Sequence, residues 1–521
     1  VWKLKGKLVG SLLIGFMMVV IGCSSNTPEN KNTPGATSSP NENQPDKQTA
    51  QPTTEGPKDF GAIKVIIGQG YSKNTDNDLV IDYIKEKSGV KLEPLWTDGS
   101  VDKFALMIAS GEEVDAQTRP LNMYYSDLAS GSLMPLSKLI DEYGPNLKKR
   151  INPELWSWVT DEKGEIHGIP VESFPMPHTV QIRKDWLKEQ NLAVPTTIEE
   201  FESVMLKFKE AYKTSPLLVK GLTTHERFDW SLAGAFLPEG YSWWKNEEGK
   251  YLPPEMHPEY KTMLATLNSW FKKGIIHPEN FIGNYFQVHP QLIDANKIGA
   301  NMGWYSGAFR AEPFSEKYPD AEFATIQPLK GKFDHGYMQV ASPSNVVSIS
   351  VNSKNAIGVI KFLDWLCEDL ENMIVSRFGI PGVHWDYVDK EKGITKALPD
   401  AGTKFVGGTF EMLDVYNYLE RQDTAEAPYL QWYYNIMDDI AANKINPRYI
   451  SNELKARVAD GTLKSADVMN DVNSAADEAR IAIITGAKPV SYWDEFLETW
   501  KKIGMNKVIE EKGALIAERL K

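Results

Sequence analysis

A short apolar run, Ile63-Lys64-Val65-Ile66-Ile67, stands between glycines, and the pattern that follows it constrains the fold more than any other feature of the chain. A run so short and so rich in β-branched residues reads as a buried strand. Leu79, Tyr83 and Ile84 then fall at helical spacing, Val90 to Trp96 reads as a second strand, and Phe104, Met107 and Ile108 mark another helix. Strand and helix in alternation build a parallel sheet covered by helices, and such a sheet holds ligands at the carboxyl ends of its strands. The expected class is α/β. With 521 residues, against roughly 100 to 200 per domain, the chain has material for two well-packed lobes.

Further along, Pro195 precedes Thr197 and Glu200 at capping-box spacing, with Ile198, Phe201, Val204, Met205 and Phe208 forming one apolar helix face. Beyond Pro489, Trp493, Phe496, Leu497, Trp500 and Ile503 repeat at helical spacing and read as core. Trp243-Trp244 reads as an exposed turn or a crossing-helix contact. The two cysteines, Cys23 and Cys367, allow at most one disulfide and no cysteine zinc site, and Cys367, within Phe362-Leu363-Asp364-Trp365-Leu366-Cys367, reads as an inert buried thiol.

The first 23 residues read as an export signal, with Lys3, Lys5 and Lys7 ahead of the apolar stretch Leu8 to Ile21, which is short for a bilayer span. Residues 24–58 are almost free of apolar side chains and rich in Pro, Asn, Thr, Ser and Gln, so they cannot bury enough surface to fold. As a flexible tether this segment reaches roughly 30 to 35 Å.

Charge and motifs narrow the function. A formal charge of -13 opposes nucleic-acid binding, which draws on clustered Lys and Arg. His225-Glu226-Arg227-Phe228-Asp229 lacks the second histidine of a zinc-protease helix, no Gly-x-Ser-x-Gly elbow occurs, and Lys330-Gly331-Lys332-Phe333 lacks the rest of a phosphate loop. Acidic pairs such as Glu112-Glu113, Glu199-Glu200 and Asp438-Asp439 read as solvated faces, not as the paired carboxylates of a glycosidase.

Val20-Ile21-Gly22-Cys23 resembles the bacterial lipoprotein motif, in which the cysteine is acylated. From about residue 60 onward the chain resembles extracellular solute-binding protein family 1, in its long lipoprotein branch beside oligosaccharide ABC permeases. The stretch Gly164 to Phe208 carries the likeness best, through His167-Gly168-Ile169-Pro170, Ile182-Arg183-Lys184-Asp185-Trp186-Leu187 and Val194-Pro195-Thr196-Thr197. Leu106-Met107-Ile108-Ala109-Ser110-Gly111, Leu133-Met134-Pro135-Leu136, Gly303-Trp304-Tyr305 and Thr485-Gly486-Ala487-Lys488-Pro489 add to it in order and spacing.

The resemblance implies a two-lobe periplasmic-binding-protein-like fold (type II), its cleft between lobes joined by crossing strands. Lobe one would take 60–135 and 338–395, lobe two 136–337 and 396–521, with hinges near Pro135, Val340 and residue 395. It implies a monomeric protein without catalysis or cofactor, lipid-anchored at Cys23 on the extracellular face of a Gram-positive membrane, that captures an oligosaccharide for ABC permease subunits. A secreted polysaccharide-degrading enzyme and a sugar-sensing lipoprotein are the alternatives.

A sugar cleft needs aromatic platforms and polar groups for hydroxyls. The resemblance puts a stacking tryptophan at Trp304, beside Tyr305, and a hydroxyl acceptor at Glu172. Tyr71, Arg119 and Asn122 fall at predicted strand ends, and Trp385, in Gly382-Val383-His384-Trp385, completes the expected set. Relatives with a calcium loop carry it after the capped helix. Here Tyr212-Lys213-Thr214-Ser215-Pro216-Leu217 lacks alternating oxygen ligands, so no metal is expected there.

Overall fold

The computed structural model describes residues 59–67, 73–96, 113–173, 178–219, 229–282, 285–304, 317–406 and 429–521, with a few short pieces between them. Residues 56–521 form one compact unit. Cys23, the signal and the tether lie outside the described residues, as do Tyr71, Phe104, Ile108 and Tyr305.

Along the chain the elements used below are β1 (Gly61–Ile67), α1 (Asn77–Ser88), β2 (Val90–Trp96), β3 (Ala116–Pro120), α2 (Leu121–Ala129), β4 (Ile169–Val171) and β5 (His178–Arg183). There follow α3 (Ile198–Tyr212), β6 (Leu217–Val219), α4 (Asp229–Phe236), β7 (Ala300–Trp304), β8 (Phe323–Thr325), β9 (Asn345–Ile349) and α5 (Ala356–Glu368). The chain closes on α6 (Met469–Ile484), α7 (Tyr492–Trp500) and α8 (Asn506–Arg519).

The expected strands and the first helix form where the apolar pattern put them. β1, β2 and β3 are parallel, and β9 runs antiparallel between β3 and β4, giving the order β2-β1-β3-β9-β4. Asp115 ties this sheet to α5. One carboxylate oxygen accepts from the Lys64 amide at 2.7 Å, and the other accepts from the amides of Lys354 and Asn355 at 3.0 and 3.1 Å, so a buried charge is fully bonded where α5 begins. The second sheet has the order β8-β5-β7-β6, with β6 and β7 parallel and β5 antiparallel to β7 and β8.

Each sheet has its own apolar core. The first core collects Ile63, Val65 and Ile84 with Ile140, Leu155 and Ile169, then Val347, Phe362 and Trp385, and ends on Phe405 and Leu413. The second collects residues from Val180 to Tyr337 and again from Tyr434 to Ile516. The lobe boundaries expected at 135 and 395 therefore move. Residues 136–171 belong to lobe one, because β4 completes its sheet and the helices before it pack on its core, and Phe405, Phe410, Met412 and Leu413 join the same core. Pro135 is interior to lobe one, flanked by the bonds Met134 N to Ile349 O and Leu136 N to Ile166 O. Residue 395 lies in β-structure paired with Arg421–Gln422.

Local chemistry explains the clearest helix. Thr197 Oγ1 accepts from the Glu200 amide at 3.1 Å, and the Glu200 carboxylate accepts from the Thr196 amide at 2.8 Å, closing a capping box displaced by one residue. All five residues of the predicted face of α3 are buried. At the C-terminus Trp493, Phe496 and Trp500 are core, but Ile503 is exposed. A wide π turn at Lys501–Met505, with Gly504 pressed against Val468, advances the phase between α7 and α8 and turns Ile503 outward.

Candidate functional site

In lobe one, β1, β2, β3 and β4 all end at one edge. Asn345, at the start of the antiparallel β9, pairs with Pro120 on one side and Val171 on the other. Arg119 and Asn122 thus flank this row at the end of β3, and Glu172 flanks it at the end of β4. In lobe two the end of β7 lies beside the start of β5, with Trp304 in register with His178.

The chain crosses directly between these edges. Six steps separate Glu172 from His178, and an extended chain covers at most ~3.6 Å per residue, so these two residues stand within about 22 Å of each other. The crossings are joined: Ser173 Oγ donates to Ser342 O at 2.8 Å, and Ser344 N donates to Val171 O at 3.1 Å. Beside them a cavity of about 340 Å³ is lined by Asn152, Glu154, Glu172, Gln339 and Ile450, among others. Val340 also lines this cavity.

The expected site residues that are described take these places. Glu172 lines the crossing cavity, and its carbonyl accepts a long bond from Ser344 Oγ. Arg119 Nε donates to Asp127 Oδ2 at 3.2 Å, with both side chains mostly buried. Burial holds the Asp127 carboxyl above the ordinary carboxylate range, against the pull of Arg119 and of the Gln117 amide. Arg119 therefore fixes α2 to the sheet as well as standing at its edge. Asn122 is exposed, but its backbone faces lobe two, where Gly461 approaches so closely that a Cβ there would lie 2.4 Å from Asn122 O. Trp304 ends β7 at the cleft edge. Tyr71 and Tyr305 lie outside the described residues.

Trp385 is placed elsewhere. It is 2% exposed in the lobe-one core, its indole N–H donating to Gly379 O at 2.6 Å and its ring edge-on to Tyr387. The turn from Gly379 to Gly382 folds back over the indole, the Gly382 amide donating to Trp385 O at 2.7 Å. Trp243 and Trp244 are likewise no exposed turn: Trp243 is buried under the Lys512 ammonium, and Trp244 donates to Pro253 O.

Two aromatic residues at the lobe-two edge escaped the sequence reading. His178, at the start of β5, meets Trp230 edge-on at 4.6 Å, and Trp230, in the first turn of α4, meets Tyr241 at 6.1 Å. An aromatic in the first turn of a helix that follows β6 was the available signal, since loops at strand ends carry ligand contacts in this architecture. Among the described residues no group of three or more His, Cys, Asp or Glu is placed to hold a metal ion. In the segment after α3, Lys213 adopts a left-handed conformation and the Thr214 hydroxyl donates to Lys297 O at 3.0 Å.

Two α/β lobes joined by bonded crossings define a two-lobe α/β fold. The comparisons agree. The polygalacturonan/rhamnogalacturonan-binding protein YtcQ of Bacillus subtilis (strain 168) is 22% identical over 464 residues, covering 85% of this chain and 88% of its own. Lipoprotein LipO of the same organism is 22% identical over 471 residues, covering 85% of this chain and 89% of its own. The substrate-binding protein FusA of S. pneumoniae, solved in complex with kestose, shares the fold with a TM-score of 0.64 at 18% identity, over 88% of this chain and 98% of that one. No model of a protein family matches the sequence. The chain is thus similar in sequence to these two proteins and in fold to the third.

Proposed function

We propose that this chain captures an oligosaccharide or related carbohydrate in the cleft and delivers it to the transmembrane subunits of an ABC importer. A lipid on Cys23 would hold it at the extracellular face of the membrane, with residues 24–58 as tether. The observation that carries the reading is the pair of strand edges facing each other across bonded crossings, one bearing Arg119, Asn122 and Glu172 and the other Trp304, His178 and Trp230. Such an arrangement can enclose a ligand between polar and aromatic walls by hinging at the crossings. The names of YtcQ and FusA support the ligand class, since one is described as a polygalacturonan/rhamnogalacturonan-binding protein and the other was crystallised with kestose.

In this reading Trp304 and Tyr305 stack on a sugar's C–H face, Tyr71 adds a second aromatic contact, and Glu172, Arg119 and Asn122 serve its hydroxyls. The chain works as a non-catalytic monomer. Calorimetric titration of the pure protein with an oligosaccharide panel, with product analysis on the same samples, tests this. Stoichiometric binding without turnover is expected, weakened by a few kcal/mol in Trp304→Ala, whereas released products would favour a secreted glycan-degrading enzyme. Fractionation of Cys23→Ser should find the variant free of membranes. A variant as firmly bound as the parent would remove the lipid from the proposal.

A further inference from the structure

Arg119 stands at the lobe-one edge of the cleft, and one neighbour governs how it can serve a ligand there. β3 hands the chain directly to α2, which packs back across β3 and β9, so that Asp127, nearly two turns into the helix, returns to the strand it came from. Asp127 Oδ2 accepts from Arg119 Nε at 3.2 Å and from Gln117 Nε2 at 3.3 Å. The Arg119 side chain is 12% exposed and that of Asp127 16%, so water screens this pair weakly.

The carboxylate is held from both directions along its helix. After it, the Asp127 carbonyl accepts from Ser130 Oγ at 2.7 Å and from the Ser132 amide at 3.2 Å, where α2 ends. Before it, Tyr125 Oη donates to Trp158 O at 2.8 Å. Asp127 therefore reaches Arg119 from a helix anchored within lobe one.

We propose that Asp127 is a positioning and specificity-determining residue, which sets the pose of Arg119 and cancels its charge, so that the cleft takes uncharged oligosaccharides and discriminates against uronates. The inference rests on the carbohydrate-capture reading above and names its ligand class. A carboxylate grips a guanidinium best through two N–H groups at once, and with Nε engaged the side-on fork of Nε and Nη2 is closed to a ligand, whereas a hydroxyl oxygen needs only one N–H.

The rest of the described edge offers a uronate no better partner. Lys73, between β1 and α1, pairs with Asp78 at 2.7 Å, and Asp76 beside it lies 3.3 Å from the buried His384. Glu172, at the end of β4, adds a further carboxylate. A uronate entering here would bring its charge beside Glu172, while both described cations of the edge already face a carboxylate.

The test is calorimetric titration of the whole protein with matched pairs, galactotriose against tri-galacturonate and mannotriose against tri-mannuronate, with kestose as a further neutral probe. The neutral member should bind the parent at least about tenfold tighter. Asp127→Asn keeps the shape and leaves the Arg119 charge uncancelled, so it should weaken neutral binding and tighten uronate binding until the pair lie within about threefold of each other. That gain for the uronate should fade at high salt. Adding Arg119→Gln removes the second charge and should restore the neutral preference, an outcome that loss of helix packing alone would not produce. Glu172→Gln should also narrow the gap, at unchanged melting temperature. Uronates that bind the parent as tightly as their neutral partners overturn the assignment, and so does a ratio unmoved in folded Asp127→Asn; should that variant not fold, a ratio unmoved by Glu172→Gln overturns it instead. Each of these results leaves carbohydrate capture standing. Folded parent that binds nothing in the panel removes the assignment and the capture reading together.

Discussion

Arg480 shows what a single buried charge demands of its surroundings. Its guanidinium is 1% exposed and meets Glu255, itself 4% exposed, at 2.7 Å, with Tyr260 Oη accepting from Nε at 2.7 Å. Truncation leaves the Glu255 carboxylate without its charge partner, so Arg480→Ala should lose about 3 to 5 kcal/mol in a denaturant titration. A loss under 1 kcal/mol would mean that water repairs the network. Cys367 is the opposite case, a group whose neighbours keep it neutral. Burial pushes its thiol up to about 12, while an unfolded cysteine ionises near ~8.5. The folded chain therefore holds this proton longer than the unfolded chain, and the associated stability, full below ~8.5, is lost as pH rises toward 12. At pH 8 a disulfide reagent should label Cys367 only after denaturation. Rapid labelling of native protein would contradict the buried placement.

At the scale of elements, α3 is the helix whose ends and face are all written locally. Its cap joins Thr197, Glu200 and Thr196 within one turn, and bonds from the Thr196 backbone hold the Glu200 carboxyl below its ordinary range. Thr197→Ala should cost about 1 kcal/mol, read as a lower denaturant midpoint at unchanged slope. An unchanged midpoint would assign the cap's work to Glu200 alone. The stretch from α7 to α8 behaves differently. The same helical spacing put Ile503 in the core, and a wide turn at Lys501–Met505 took it out, because Gly504 is pinned against Val468 of another segment. Periodicity predicts a face only while the helix stays regular.

For the whole molecule, the contact that matters is between lobes. Asn122 O, at the head of α2, lies so near Gly461 of lobe two that a Cβ at 461 would fall 2.4 Å from it, and one backbone must shift to admit a side chain. Gly461→Leu should hold the lobes apart, weaken sugar affinity by roughly tenfold, a cost of ~1.4 kcal/mol, and raise the scattering radius of the sugar-saturated protein. Parental affinity and radius together would show that closure does not use this contact. Saturating the parent with sugar should reduce its radius, since closure about the crossings brings the lobes together.

The sequence by itself determined the α/β class, the first strands, and the capped helix with its buried face. Those features rest on spacing within a few residues, and spacing is all that a sequence displays directly. Tertiary structure decided the rest. It assigned 136–171 to lobe one, because β4 joins the sheet only after β9 returns to pair with it. It buried Trp385 beneath a turn and brought Trp230 against His178 from 52 residues away. It also set Asn122 against Gly461, a residue hundreds of positions distant. Whether an aromatic or an amide faces ligand, core or the opposite lobe depends on which distant segment covers it, and that is fixed by packing between elements and not by the residue's own neighbours in the chain.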